Sequence, residues 1–151
     1  VEKELVLPNK DQEPHEVNYR YGIWHCANNL ISNHFVLGVG ADKVQEKLNN
    51  CYNEFTYKSY EDFSKVTYNT HNQYFDQMLK FGIFGLILFV LALFYFYPSS
   101  SVLYQTFIIV VSISFLTENI LDRQIGVVFV SLFNAIFVIL KLNKVEKSIS
   151  S

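Results

Sequence analysis

"HNQYFDQMLKFGIFGLILFVLALFYFY", His71 to Tyr97, starts polar and carries no charge after Lys80. Such a run reads as a helix meant for lipid, and two more follow it, Val102 to Thr117 and Ile125 to Leu140. At 1.5 Å per residue each spans roughly 24 Å, slightly short of a ~30 Å hydrocarbon core unless flanking residues lengthen the helices. The first run extends backwards through Tyr74, with Lys80 snorkelling to the interface. Links of four to seven residues join the runs, which leaves too little polar surface for a bundle of soluble helices. The expected fold class is therefore mainly α, a polytopic α-helical membrane protein fragment. It should have an extracytoplasmic helical loop region over residues 1–70, three transmembrane helices (about 72–97, 102–117 and 125–140), and a tail over 141–151.

Charge sets the orientation. Lys141, Lys144 and Lys147 follow the third run, whereas the "PSSS" link after the first has none, so the positive-inside rule places the C-terminus in the cytoplasm. Three crossings then put residues 1–70 and the "ENILDRQ" link, Glu118 to Gln124, on the outer side. Phe81 to Leu140 holds only Glu118, Asp122 and Arg123 as charges, whereas Val1 to Thr70 has ten acidic residues against seven Lys or Arg. A net charge of −2 gives no basic surface for phosphate backbones, so no nucleic-acid partner is expected. The chain begins at Val1 without a signal peptide, which suggests a fragment whose upstream part is missing.

In the polar half, Val1 to Tyr19 lacks a sustained period and reads as loop. From Arg20, the residues Ile23, Trp24, Ala27, Leu30 and Ile31 recur at helical spacing and predict an amphipathic helix that stops near Asn33. Gly38 and Gly40 permit a tight turn, and Asp42 is placed to cap a second helix with Val44, Leu48 and Cys51 on its inner face. Thr56 to Thr70 reads as loop. Cys26 and Cys51 are read first as unpaired thiols; a disulfide between them requires that this half lie outside the cytoplasm.

Few residues suggest chemistry. Gly82 and Gly85, one turn apart, clear a stripe along which a neighbouring helix can approach. His71 stands about three turns earlier, on the predicted outer face with Glu118, Asp122 and Arg123. An ion pair within the link accounts for Arg123 as well as substrate contact does. His25 and His34 lack partners at metal-ligand spacing, so no metal or other cofactor is expected. His15 reads as a solvated loop residue, and Trp24 as an interface anchor rather than a sugar platform.

The spacing of His71, Asn72, Gly82 and Gly85, a His-Asn pair followed by nine residues and Gly-x-x-Gly, resembles a signature of the O-antigen ligase and polymerase superfamily of bacterial envelope glycosyltransferases. "RYGIW" (Arg20 to Trp24), "LGVG" (Leu37 to Gly40) and "TENILDRQIG" (Thr117 to Gly126) look like further stretches of that superfamily's C-terminal part, in the same order. One departure is "NHFVLGVG", where many members carry a Pro before the glycines.

The resemblance implies a multi-pass enzyme of the bacterial inner membrane. This chain would supply its last large periplasmic loop and its final three helices, and membrane lipids would surround it. It implies transfer of a glycan from an undecaprenyl diphosphate donor, without a metal, to lipid A core by ligases or to another glycan acceptor by polymerases of O-antigen or capsule. Protein O-oligosaccharyltransferases belong to the same superfamily. Such transfer needs a base for the acceptor hydroxyl and cations for the departing diphosphate. An imidazole, ordinarily titrating near ~6.5, suits a base at neutral pH, and a guanidinium fork matches phosphate oxygens. His71 is the expected base, and Arg20 and Arg123 the expected diphosphate contacts, with Asn72, Glu118 and Gln124 in support. Two readings of another class are a transport subunit with a polar pathway and a non-catalytic assembly protein. Against the first, the spans hold little besides Asn134 and a few Ser that could line a pathway.

Overall fold

The structure is a computed structural model that describes residues 19–53, 67–95 and 101–149, as backbone alone from 144 onwards. All regular structure among the described residues is helical: α1 (Tyr19–Asn33), α2 (Val44–Tyr52), α3 (Gln73–Phe94), α4 (Val102–Ser114), a 3-10 turn (Ile120–Asp122) and α5 (Gln124–Ile149). The expected loop over Val1 to Tyr19 (except Tyr19 itself, which opens α1), most of the one over Thr56 to Thr70, and all of "PSSS" but Ser101 lie outside the described residues.

Helices α1 and α2 form where the periodicity placed them. Ile23, Cys26 and Ala27 give α1 a buried face, which meets Val44, Leu48 and Tyr52 of α2 and Leu79 of α3 in one core. Burying a side chain such as Ile23 or Leu48 contributes about 1.5–3 kcal/mol. Burial also pushes the Tyr52 phenol above its ordinary pKa, so it stays neutral at physiological pH. The reading of the cysteines as free thiols is overturned: Cys26 and Cys51 form a disulfide, with Cα atoms 5.8 Å apart, that ties α1 to α2. Asp42 does not cap α2. The capping position is Lys43, in helical conformation and without a side-chain bond, because a turn over residues 41–43 carries the chain straight into the helix.

A second core joins α3, α4 and α5. Phe115, Val111 and Val130 are buried there beside Tyr74, Phe89 and Ile120, and Phe107 stacks on Phe133 with ring centres 5.5 Å apart. α4 and α5 depart from the expected boundaries in opposite senses. α4 ends at Ser114, because the backbone tightens into turns over Phe115–Thr117 and the Phe115 carbonyl accepts from the Gln73 N–H (2.8 Å). α5 runs past Leu140 to Ile149, through residues that include no Gly or Pro to stop it. Two helices are thus long and apolar enough to cross a membrane, α3 and the Gln124–Asn143 part of α5. The thirteen-residue α4, roughly 20 Å long, is shorter than a hydrocarbon core.

The largest departure lies in α3. The helix is not continuous: Gly82, at φ 66° and ψ −163°, breaks it in a conformation almost confined to glycine. The break is filled by the loop after α1. Val39 N–H donates to the Leu79 carbonyl (2.7 Å), and Ile83 N–H donates to the Phe35 carbonyl (2.9 Å). These are the two groups that an unbroken helix would have joined to each other. Gly38, also at positive φ, is required by the same contact, since a Cβ there would lie 2.6 Å from the Leu79 oxygen. The close approach read from Gly82 and Gly85 is therefore made at Gly82 by a loop rather than a helix, and the nearest neighbour of Gly85 is the Phe81 side chain of its own helix.

Candidate functional site

The site gathers where α3 begins. Asn72 caps that helix, its side-chain oxygen accepting from Tyr74 N–H (3.0 Å) and Phe75 N–H (3.1 Å). With Gln73 N–H donating to Phe115, the first turn has no amide left for an anion. His71 stands just outside the cap at φ 46°, a left-handed conformation uncommon for a residue with a side chain.

Both neighbours of His71 are held by one buried side chain. Asn119 Oδ1 accepts from Asn72 N–H at 2.6 Å and lies 3.1 Å from the Thr70 hydroxyl, while its amide donates to Asp122 Oδ2 at 3.0 Å. Since Glu118 precedes Asn119, this clamp sets Glu118 beside His71. Its Oε2 lies 3.5 Å from His71 Nδ1, and its Oε1 3.4 Å from the Arg20 guanidinium at the start of α1. Three distant parts of the chain thus deliver an imidazole, a carboxylate and a guanidinium to one place.

Beneath them runs a second layer of polar groups. Lys80 Nζ is 2.6 Å from Asp76 and 2.8 Å from Asp122, which binds α3 to the 3-10 turn. Two carboxylates thus hold the partly buried Lys80 ammonium at this level. Gln73, fully buried, accepts the Leu121 N–H at 2.8 Å. Trp24 anchors α1 from the side, its indole N–H donating to the Thr70 carbonyl (3.0 Å) and its ring meeting Phe75 edge-on.

Arg123 and Gln124 are placed differently. Arg123 makes no ion pair among the described residues, so the link is not tied by it; the carboxylates of Glu118 and Asp122 pair instead with His71, Arg20 and Lys80. Arg123 lines an open groove of about 390 Å³ together with Glu118, Asn119, Ile120, Ile125 and Gly126. Gln124 opens α5 and is exposed, and it enters none of the bonds that join His71, Glu118 and Arg20. His25 bonds to Asn29 (3.2 Å) and His34 to the Leu30 carbonyl (3.1 Å). Among the described residues no group of three His, Cys, Asp or Glu is arranged to hold a metal ion.

Sequence reasoning missed Gln73, Asp76, Lys80 and Asn119 as parts of this site. The first three did leave a signal, a polar stripe at intervals of three and four on an otherwise apolar helix. Asn119 left none, because the partners that tie it to the surroundings of His71, Thr70 and Asn72, lie 49 and 47 positions away.

Two helices long and apolar enough to cross a membrane, one of them with a polar cluster at its start, point to a membrane protein. A family model described as O-antigen ligase matches residues 2–90, and the chain belongs to that family. No curated protein and no solved structure matches it. The family has an O-antigen ligase- or polymerase-type function and works on lipid-linked glycans.

Proposed function

We propose that the chain carries the transfer site of a metal-independent glycosyltransferase that moves a glycan from undecaprenyl diphosphate to lipid A core. The observation that carries this reading is the convergence of His71, Glu118 and Arg20, beside the groove that Arg123 lines. Glu118 orients the imidazole through Nδ1 and leaves Nε2 to take the proton of the acceptor hydroxyl as its oxygen attacks the anomeric carbon. The new C–O bond forms as the bond to the diphosphate breaks, and the leaving group departs with that electron pair. Arg20 and Arg123 neutralise it; the single 3.4 Å contact to Glu118 leaves most of the Arg20 donors for phosphate.

In this reading the protein sits in the bacterial inner membrane, with residues 1–70 in the periplasm and the C-terminus in the cytoplasm. The Cys26–Cys51 disulfide favours an oxidising compartment for that half. His71 at the start of α3 and Glu118 after α4 meet at one end, as three antiparallel crossings require. Local thinning of the bilayer accommodates the short α4.

In the intact protein, His71→Ala should lower transfer by about 10²- to 10⁴-fold while the protein still inserts, and Arg20→Lys should also impair it by losing the fork. The readout is the surface glycan on a gel. Wild-type transfer by inserted His71→Ala protein would remove the histidine from the mechanism. A deletion strain separates the acceptors: unligated long chains on the carrier indicate a ligase, and single-repeat chains a polymerase.

A further inference from the structure

The loop between α1 and α2 is apolar at its tip and polar on both sides. Asn33 and His34 precede Phe35, Val36 and Leu37, while Asp42 and Lys43 follow the glycines. All three tip residues are exposed, Leu37 by 77 %, so the tip does not belong to the core that α1 and α2 share.

Its height is fixed by α3. The loop bonds to Leu79 and Ile83, and between these Lys80 is the last charged residue of the helix while Phe81 begins its uncharged stretch. Phe81 and Phe84 are themselves exposed there, on the same helix turn that the loop touches. If α3 crosses the membrane, the tip stands where headgroups give way to acyl chains.

Non-helical backbone is tolerated at that depth only when its polar groups are satisfied. This loop meets the condition in part: Gly38 N–H donates to the His34 carbonyl (2.8 Å), Val39 N–H to Leu79, and the Phe35 carbonyl accepts from Ile83, whereas the amides of Phe35, Val36 and Leu37 have no backbone partner among the described residues and need the water and headgroups of the interface. A loop with exposed apolar side chains, its base bonded to a helix and its tip amides left for water, is suited to the membrane interface.

We propose that Phe35, Val36 and Leu37 form a wedge whose side chains insert at the headgroup–acyl boundary of the outer leaflet, which docks the extramembrane half onto the bilayer surface beside α3. The inference requires that α3 crosses the membrane and is independent of the catalytic role of His71.

The test uses spin labels in the protein reconstituted into phosphatidylethanolamine and phosphatidylglycerol vesicles. Cys26 and Cys51 are paired, so Leu37→Cys supplies the one free thiol of the chain for a nitroxide. Phe84→Cys serves as the lipid reference and Lys47→Cys, on exposed α2 surface, as the aqueous one. Oxygen should collide with the label at position 37 several-fold more often than a water-soluble nickel chelate does, as at 84 and opposite to 47. Nickel-dominated collisions at 37 would place the tip in water and overturn the proposal, and so would low access to both reagents, which would mean cover by protein. An aqueous label at 84 overturns it as well, by removing the crossing on which it rests. Val36→Cys repeats the measurement if Leu37→Cys does not insert.

Discussion

Asn119 commits its whole side chain to the surroundings of His71, and the geometry of the site depends on it more than on any charged group. Its oxygen serves the residues on either side of the histidine, and its amide reaches Asp122. Asn119→Ala strands the buried Asn72 N–H, which should cost about 1–3 kcal/mol. Asn119→Asp keeps an acceptor but sets a carboxylate against Asp122, so its thermal unfolding in detergent should fall between alanine and wild type. An Asn119→Ala protein as stable as wild type would show that the clamp is not needed. At this scale the sequence is legible in part: of the expected site residues His71, Arg20 and Glu118 meet, whereas Arg123 lines the neighbouring groove and Gln124 stands apart. Asn119 was not legible, because an amide becomes a clamp only through partners that folding brings to it.

At the scale of elements, α3 shows the limit of reading a helix from apolar composition. Its residues predict a helix from one end to the other, and the two glycines within it suggest a smooth stripe for packing. The break at Gly82 depends on a second segment arriving at Leu79 and Ile83, which composition cannot reveal. The "LGVG" turn was nonetheless foreseen from its glycines, and both adopt positive φ. Gly82→Ala should be harmful, by about 1–3 kcal/mol for the backbone conformation alone, with a further collision against the Val36 carbonyl. Gly85→Ala avoids that conformational cost, because Gly82 is the non-helical residue of α3; its cost is instead a small shift of the helix, since the new methyl meets the Phe81 Cβ, which side-chain rotation does not move. Protease resistance of the membrane-inserted variants distinguishes them; equal resistance would show that α3 also accepts a continuous form.

Over the whole molecule, the division into a polar and an apolar half follows from hydropathy, and the structure gives each half its own core. The pairing of Cys26 with Cys51 lay beyond the sequence, because two cysteines 25 positions apart are brought together only by the packing of α1 on α2. Topology is the property to measure here. Reporter fusions at Tyr60 and at Ser151 should report opposite compartments, with the first outside, because an odd number of crossings separates them in the proposed arrangement. Matching signals would show an even number, and α4, the shortest apolar helix, is the one that would then lie within the surface instead of crossing it.

The graft of one loop into the backbone of α3 also constrains how the protein is made. Ribosomal synthesis delivers residues 35–39 before α3 exists, so the partners for the Leu79 carbonyl and the Ile83 amide are already on hand when that segment reaches the bilayer. Were the order of the two segments reversed, α3 could first join the Ile83 N–H to the Leu79 carbonyl as a continuous helix, and the loop would then have to break that bond to dock. The chain order therefore lets α3 take its bent shape on arrival, with the segment that precedes it acting as its template.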